Sequence, residues 1–193
     1  MCERVAVHGV YDGKRIIGTG FDSLELGNNG DLKPTQQLQC YVQEGDSAST
    51  LSLKWGLAAR NSKRLLINAK AETVADLITF KFAFNTRRCL VPINGWYEWR
   101  QKGHRRQRYY FSSPEQHMLV AGIWWQPNER FPDGSVILLT QEAMRPCLER
   151  MPVLLRPEVA QAYLSNTICA LELTASYQGP EILGEAVDGP IHF

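Results

Sequence analysis

Residues 87–99 read Arg-Arg-Cys-Leu-Val-Pro-Ile-Asn-Gly-Trp-Tyr-Glu-Trp. Two short runs rich in β-branched and aromatic residues, 89–93 and 96–100, flank Asn94-Gly95. That pair favours a tight turn, so the segment reads as two strands joined closely. The same composition predicts strands at 4–7, 38–42, 51–55, 65–68, 108–111, 119–125 and 136–140. Residues 22–33, Asp-Ser-Leu-Glu-Leu-Gly-Asn-Asn-Gly-Asp-Leu-Lys, have turn composition and read as a loop. Helical spacing predicts a helix over 72–84 with a start near Thr73, and a second over 158–164 opened by Pro157. A short third helix is expected around 142–148. Many strands with two or three helices give an α+β fold on a mostly antiparallel, barrel-like sheet. A length of 193 residues suits one domain, 1–193.

Bulk properties narrow the function classes. Hydrophobic residues at 44% and charged residues at 21% are those of an ordinary globular protein that buries a core without staples. No apolar run reaches the length of a membrane span and the first residues are not a signal peptide, so the expected location is cytoplasmic. Five cysteines at 2, 40, 89, 147 and 169 form no Cys-x-x-Cys pair. Their odd count and scatter point to free thiols, and the chain is expected to hold no metal and no cofactor. A net charge of +1 carries no nucleic-acid signal, so any such surface must come from local clusters of the 21 Lys and Arg residues. Nothing in the sequence speaks to oligomeric state.

Four features carry chemistry. Removal of Met1 would expose Cys2 as a 1,2-aminothiol, its amine pKa about 8 and its thiol about 8.5. Such a pair captures an aldehyde first as a Schiff base and then as a thiazolidine, which a side-chain cysteine cannot do. The second feature is 65–73, Leu-Leu-Ile-Asn-Ala-Lys-Ala-Glu-Thr, a strand that delivers Asn68 and Lys70 on one face; an ordinary polar turn fits as well. In the third, Glu98 sits among Trp96, Tyr97 and Trp99. Apolar neighbours raise a carboxyl pKa and fit it for acid-base work, and the rings can stack on bases. Plain alternation, with Glu98 merely exposed, fits equally. The fourth is Arg150 in Glu-Arg-Met-Pro, able to clamp a phosphate or to sit on the surface. A basic run at 100–108 around Gly103 reads as a solvated hairpin tip in preference to a DNA contact.

Together these motifs resemble the SRAP family, the SOS-response-associated peptidases that shield abasic sites. The resemblance is carried by the Met-Cys-x-Arg start, Lys33-Pro-Thr, Lys54-Trp-Gly-Leu and Asn68-Ala-Lys-Ala-Glu-Thr. It continues in Arg87-Arg-Cys-Leu-Val-Pro, Gly95-Trp-Tyr-Glu-Trp, Ala121-Gly-Ile-Trp and Arg150-Met-Pro. It implies covalent capture of abasic sites in single-stranded DNA by the processed N-terminal cysteine, with lyase and autopeptidase activity at the same residue. By position, Cys2 is implied as nucleophile, Asn68 as its orienting group and Glu98 as the acid-base group. Arg4, Lys70 and Arg150 are implied as phosphate contacts, with Pro34 and Thr140 lining the cleft.

The chain departs from the pattern at named places. Leu148-Glu149 stands where the family reads His-Asp, Glu3 where it has Gly, and Lys70 where it has Arg. His8, four positions beyond Arg4, is the nearest histidine in sequence to take over the missing role. Two other functions fit the chain: a non-covalent single-stranded DNA-binding module, and a cysteine peptidase.

Overall fold

The computed structural model describes residues 2–187 apart from 19, 46, 60–62, 116, 144–147, 176 and 178. In chain order the elements begin with β1 (Val5–Asp12), a single helical turn α1 (Gly13–Ile16), β2 (Ser23–Leu32), β3 (Gln37–Glu44) and β4 (Ser47–Lys54). Three short strands follow, β5 (Leu57–Ala58), β6 (Leu65–Leu66) and β7 (Asn68–Lys70). Then come α2 (Ile78–Thr86), β8 (Arg88–Ile93), β9 (Gly95–Lys102), β10 (Arg105–Ser112), β11 (Met118–Trp125) and β12 (Ser135–Glu142). The chain closes with β13 (Arg150–Pro152), β14 (Leu154–Leu155), α3 (Pro157–Leu164), α4 (Ala170–Ala175) and β15 (Leu183–Val187).

The expected α+β architecture on antiparallel sheet is present, and its sheets do not close into a barrel. A five-stranded sheet runs β15-β10-β9-β1-β2, and a larger one runs β13-β12-β11-β8-β3-β4. β7 joins the larger sheet beside β12, in parallel, and β14 joins beside β11. Every residue of β8 is buried, as are nearly all of β11 and β12. Strands covered on both faces read as continuous apolar runs instead of alternating ones. α2 and α3 pack on β8 and β11, while β1 and β2 pack on β8 and β3. One core results, in which Trp96 stacks on Phe111 at 5.1 Å.

Three expectations change. Of residues 22–33, read as a loop, Ser23–Leu32 are a strand, β2, because Leu24, Leu26 and Leu32 are buried against the core. Gly27 and Gly30 take positive φ, and register shifts fall around Gly9 of β1, so a bulged hairpin accommodates the turn residues. Asn94-Gly95 is a corner and not a hairpin turn: β8 pairs with β3 and β11, whereas β9 pairs with β1 and β10. The Asn94 side chain holds that corner by accepting from the His8 backbone N–H at 2.7 Å. Finally, the helix expected over 72–84 begins at Ile78, after a series of turns in which Ala71 and Val74 are buried. Residues 144–147 of the expected third helix lie outside the described residues, and Glu142 ends β12. α3 starts with Pro157 at its first turn as predicted. The hairpin tip at 100–108 also forms, with Gly103 at φ +61° opening a two-residue loop.

Candidate active site

Cys2 is fully buried just ahead of β1. Asn68, the first residue of β7, donates from Nδ2 to the Cys2 carbonyl at 2.8 Å. β7 is short, but its parallel register with β12 (Leu138 to Asn68, Thr140 to Lys70) fixes its position. Ala69 between them is buried, so Asn68 and Lys70 share the opposite side, as strand alternation requires. The Asn68 Oδ1 is also buried and has no hydrogen-bond partner among the described residues. An amide acceptor left in that condition costs about 1–3 kcal/mol.

Glu98 lies close enough to Cys2 for its charge to act on the thiol. Burial pushes the Cys2 thiol well above its ordinary pKa, and the Glu98 carboxylate pushes it further. Glu98 is itself only 8% exposed. Burial raises its carboxyl pKa, and the charges of Glu3 and Glu149 act in the same direction. Alternation does hold along β9, but the face carrying Trp96 and Glu98 is the inward one, so Glu98 is not an exposed strand residue.

Two cavities flank the centre. The larger, about 370 Å³, is lined by Glu98, Trp99, Arg100, Leu148, Glu149 and Arg150. The smaller, about 230 Å³, is lined by Arg4, Lys33, Pro34, Ile67, Trp99 and Arg106. Trp99 is therefore a wall common to both. The Arg4 guanidinium lies 5.2 Å from the centre of the Trp99 ring and 3.8 Å from Asp31. Arg100 and Arg106 bring the basic hairpin into both cavities, so this run is more than a solvated tip.

Arg150 is held from behind. Its Nη2 donates to the Thr140 carbonyl at 2.6 Å and to Glu72 Oε2 at 2.7 Å, and its Nε to the Thr140 hydroxyl at 3.2 Å. The other Glu72 oxygen accepts from the Glu142 N–H at 3.0 Å. Thr140 is 1% exposed and its hydroxyl donates to the Ala69 carbonyl, so it braces Arg150 from inside the sheet and does not face the cleft. Glu72 has no role in the reading of the sequence. Its partner is 78 residues away, and only its place in the 68–73 motif hinted at it. Lys70 is exposed on β7.

The histidine question also has a geometric answer. His8 is exposed, and its backbone lies beside the Asn94 side chain, whose Nδ2 is 3.2 Å from His117 Nδ1. Six residues at about 3.3 Å each set it roughly 20 Å along the strand from Cys2. Leu148 is half-buried in the wall of the larger cavity. Among the described residues no group of three or more His, Cys, Asp or Glu is arranged to hold a metal, and no helix is long and apolar enough to cross a membrane.

Comparison with known proteins shows what the chain is similar to. The family model described as SOS response associated peptidase (SRAP) matches residues 1–188. The chain is 24% identical to abasic site processing protein YoaM of Bacillus subtilis over 181 residues, covering 86% of this chain and 79% of that protein. It is 30% identical to abasic site processing protein YedK of Escherichia coli over 124 residues, covering 61% and 56%. A solved structure of a phage-related protein from Bordetella bronchiseptica superposes with a TM-score of 0.81 at 24% identity, over 97% of this chain and 95% of that one.

Proposed function

Because the chain belongs to the SOS response associated peptidase family, we propose that it processes abasic sites in DNA, and that Cys2 captures them covalently in single strands. After loss of Met1, the Cys2 amine adds to the aldehyde of the ring-opened sugar, water leaves and an imine forms. The Cys2 sulfur then adds to the imine carbon, its proton passes to nitrogen, and a five-membered thiazolidine closes. The observation that supports this most is Asn68. Its Nδ2 grips the Cys2 carbonyl and its buried, unpartnered Oδ1 is an acceptor suited to an N–H of a freed Cys2 amine. Glu98, with its raised carboxyl pKa, supplies the proton that opens the sugar ring and assists loss of water. Arg4 and Arg150 meet phosphates on the two sides of Trp99, Lys70 adds a third contact, and Pro34 shapes the smaller cavity. Thr140 contributes by bracing Arg150.

A second reading, a non-covalent single-stranded DNA module, is favoured by Leu148, which gives the larger cavity no imidazole. One experiment separates the two. Protein beginning at Cys2 is incubated with an abasic oligonucleotide, without reductant, and denatured. A heat-stable adduct that disappears in Cys2→Ser is the expected result. Binding to the same oligonucleotide without any adduct would replace the first reading with the second.

A further inference from the structure

The inward face of β9 and β10 holds Trp96, Glu98 and Phe111; the outward face holds a row of rings that this chemistry does not use. Tyr97 and Tyr110, directly paired across the two strands, lie with centroids 4.9 Å apart and planes tilted by 39°. Tyr97 is 6.4 Å from Trp99, the wall shared by both cavities. All three rings are half-buried, so each keeps part of its surface toward solvent. Gly95 is what lets Tyr110 lie down on the sheet: a Cβ there would come within 2.3 Å of its ring. The Arg108 guanidinium sits 5.1 Å from the Tyr97 centroid, on the same outward side, and Arg106, two residues before it, lines the smaller cavity. Two carboxylates share the face. Asp31 is 3.8 Å from Arg4 and its charge acts on the Tyr97 hydroxyl, and Glu185 is the cross-strand partner of Tyr110.

We propose that this outward face of the five-stranded sheet is a stacking surface for bases of the single strand that flank the captured nucleotide. The inference rests on the DNA reading given above and extends it from the reactive sugar to its neighbours. Three points of chemistry support this occupant. Rings lying on an open sheet, two of them attended by guanidinium groups, Trp99 by Arg4 and Tyr97 by Arg108, offer stacking to the bases and positive charge to the backbone beside them. The row is continuous with the smaller cavity through Trp99 and Arg106, so a strand leaving the cavity runs directly onto it. A folded protein partner would instead need a wider apolar patch than two tyrosines and a tryptophan provide.

The test uses oligonucleotides in which a tetrahydrofuran replaces the abasic sugar, so that binding is measured without bond formation. Affinities of the parent, Tyr110→Ala, Tyr110→Phe and Arg108→Ala proteins are compared on a trimer and on an eleven-mer. Stacking predicts that the parent binds the eleven-mer more tightly, that Tyr110→Ala loses about tenfold of that affinity, and that none of the variants changes on the trimer. Tyr110→Phe keeps the ring and should behave as the parent, which guards against a folding defect. Arg108→Ala should lose affinity for the eleven-mer with a reduced salt dependence. Parent-like binding of the eleven-mer by both alanine variants, equal losses on both lengths, or tighter binding when the flank is duplex would overturn the stacking surface. Adduct formation by the parent on an authentic abasic trimer is scored separately. Its failure would count against Cys2 capture and not against the sheet face.

Discussion

Leu148 gives the larger cavity an apolar side chain directly beside Glu149 and Arg150 and across from Glu98. An imidazole with a pKa near neutrality would shuttle protons there; a leucine does not. Leu148→His is therefore expected to accelerate adduct formation, by up to the 10²–10⁴ such a group contributes, with a rate that responds to pH around the histidine range. A time course for parent and variant measures it, and an unchanged rate would remove proton transfer at this position from the mechanism. Glu98 sets a second pH dependence. Burial first, and then Glu3 and Glu149, hold its proton to higher pH than an ordinary carboxyl. A step that needs the acid form is fast below that raised pKa and slows as pH rises through it. Glu149→Gln removes one of the raising charges, so the descending limb of the pH-rate profile should move to lower pH. A limb that stays in place would mean that another group titrates. Asn68, Glu98 and Cys2 were legible because each is an unusual residue for its local pattern. Glu72 and the bracing duty of Thr140 were not, since both depend on Arg150 arriving from a distant strand.

Arg88 ties three elements together. Its Nε donates to the Phe84 carbonyl at 2.8 Å, and its Nη1 to the Tyr163 and Ile168 carbonyls at 3.3 and 2.7 Å. The guanidinium also lies 4.1 Å from the Phe84 ring centroid and 5.0 Å from that of Tyr163. It thus satisfies carbonyls near the ends of α2 and α3 from the first residue of β8. Arg88→Ala takes this donor from the Phe84 and Ile168 carbonyls, while the Tyr163 carbonyl keeps the Asn166 N–H, and is expected to cost about 3 kcal/mol, read as a lower urea midpoint. A change below about 0.5 kcal/mol would mean that water replaces the guanidinium at little cost. Nothing in Arg87-Arg88 as a sequence separates this buried residue from its neighbour, because the decisive partners lie up to 80 residues away. The central strands were legible from their uninterrupted apolar runs. β2 was not, since glycines and asparagines that signal a turn also fill a bulged hairpin. The short α4, entered at Cys169, whose N–H is accepted by Glu172 at 2.7 Å, and the exposed edge strand β15 carry too little apolar periodicity to stand out.

Across the whole molecule, net charge is close to neutral while Arg4, Lys33, Arg100, Arg106 and Arg150 gather around the two cavities. With three to five phosphate contacts, single-strand affinity should fall roughly 20- to 130-fold over a fourfold rise in salt. A flat response in a titration would reject the cleft as the DNA path. The residues of the centre come together over long stretches of chain, with Cys2 held by a residue 66 positions on and Arg150 by one 78 positions back. Such an arrangement closes late in folding, because the loops must be ordered before the contacts form. It also sets a clock on biosynthesis. The strand β7 that holds Cys2 is itself paired with β12, which is not made until about position 142, and at roughly 5–20 residues per second this leaves an interval on the order of ten to thirty seconds. Until then the Cys2 thiol is open to solvent, and once the chain has closed its side chain is enclosed beside Asn68. A chain that keeps Met1 holds the Cys2 nitrogen in a peptide bond and can form neither the imine nor the thiazolidine.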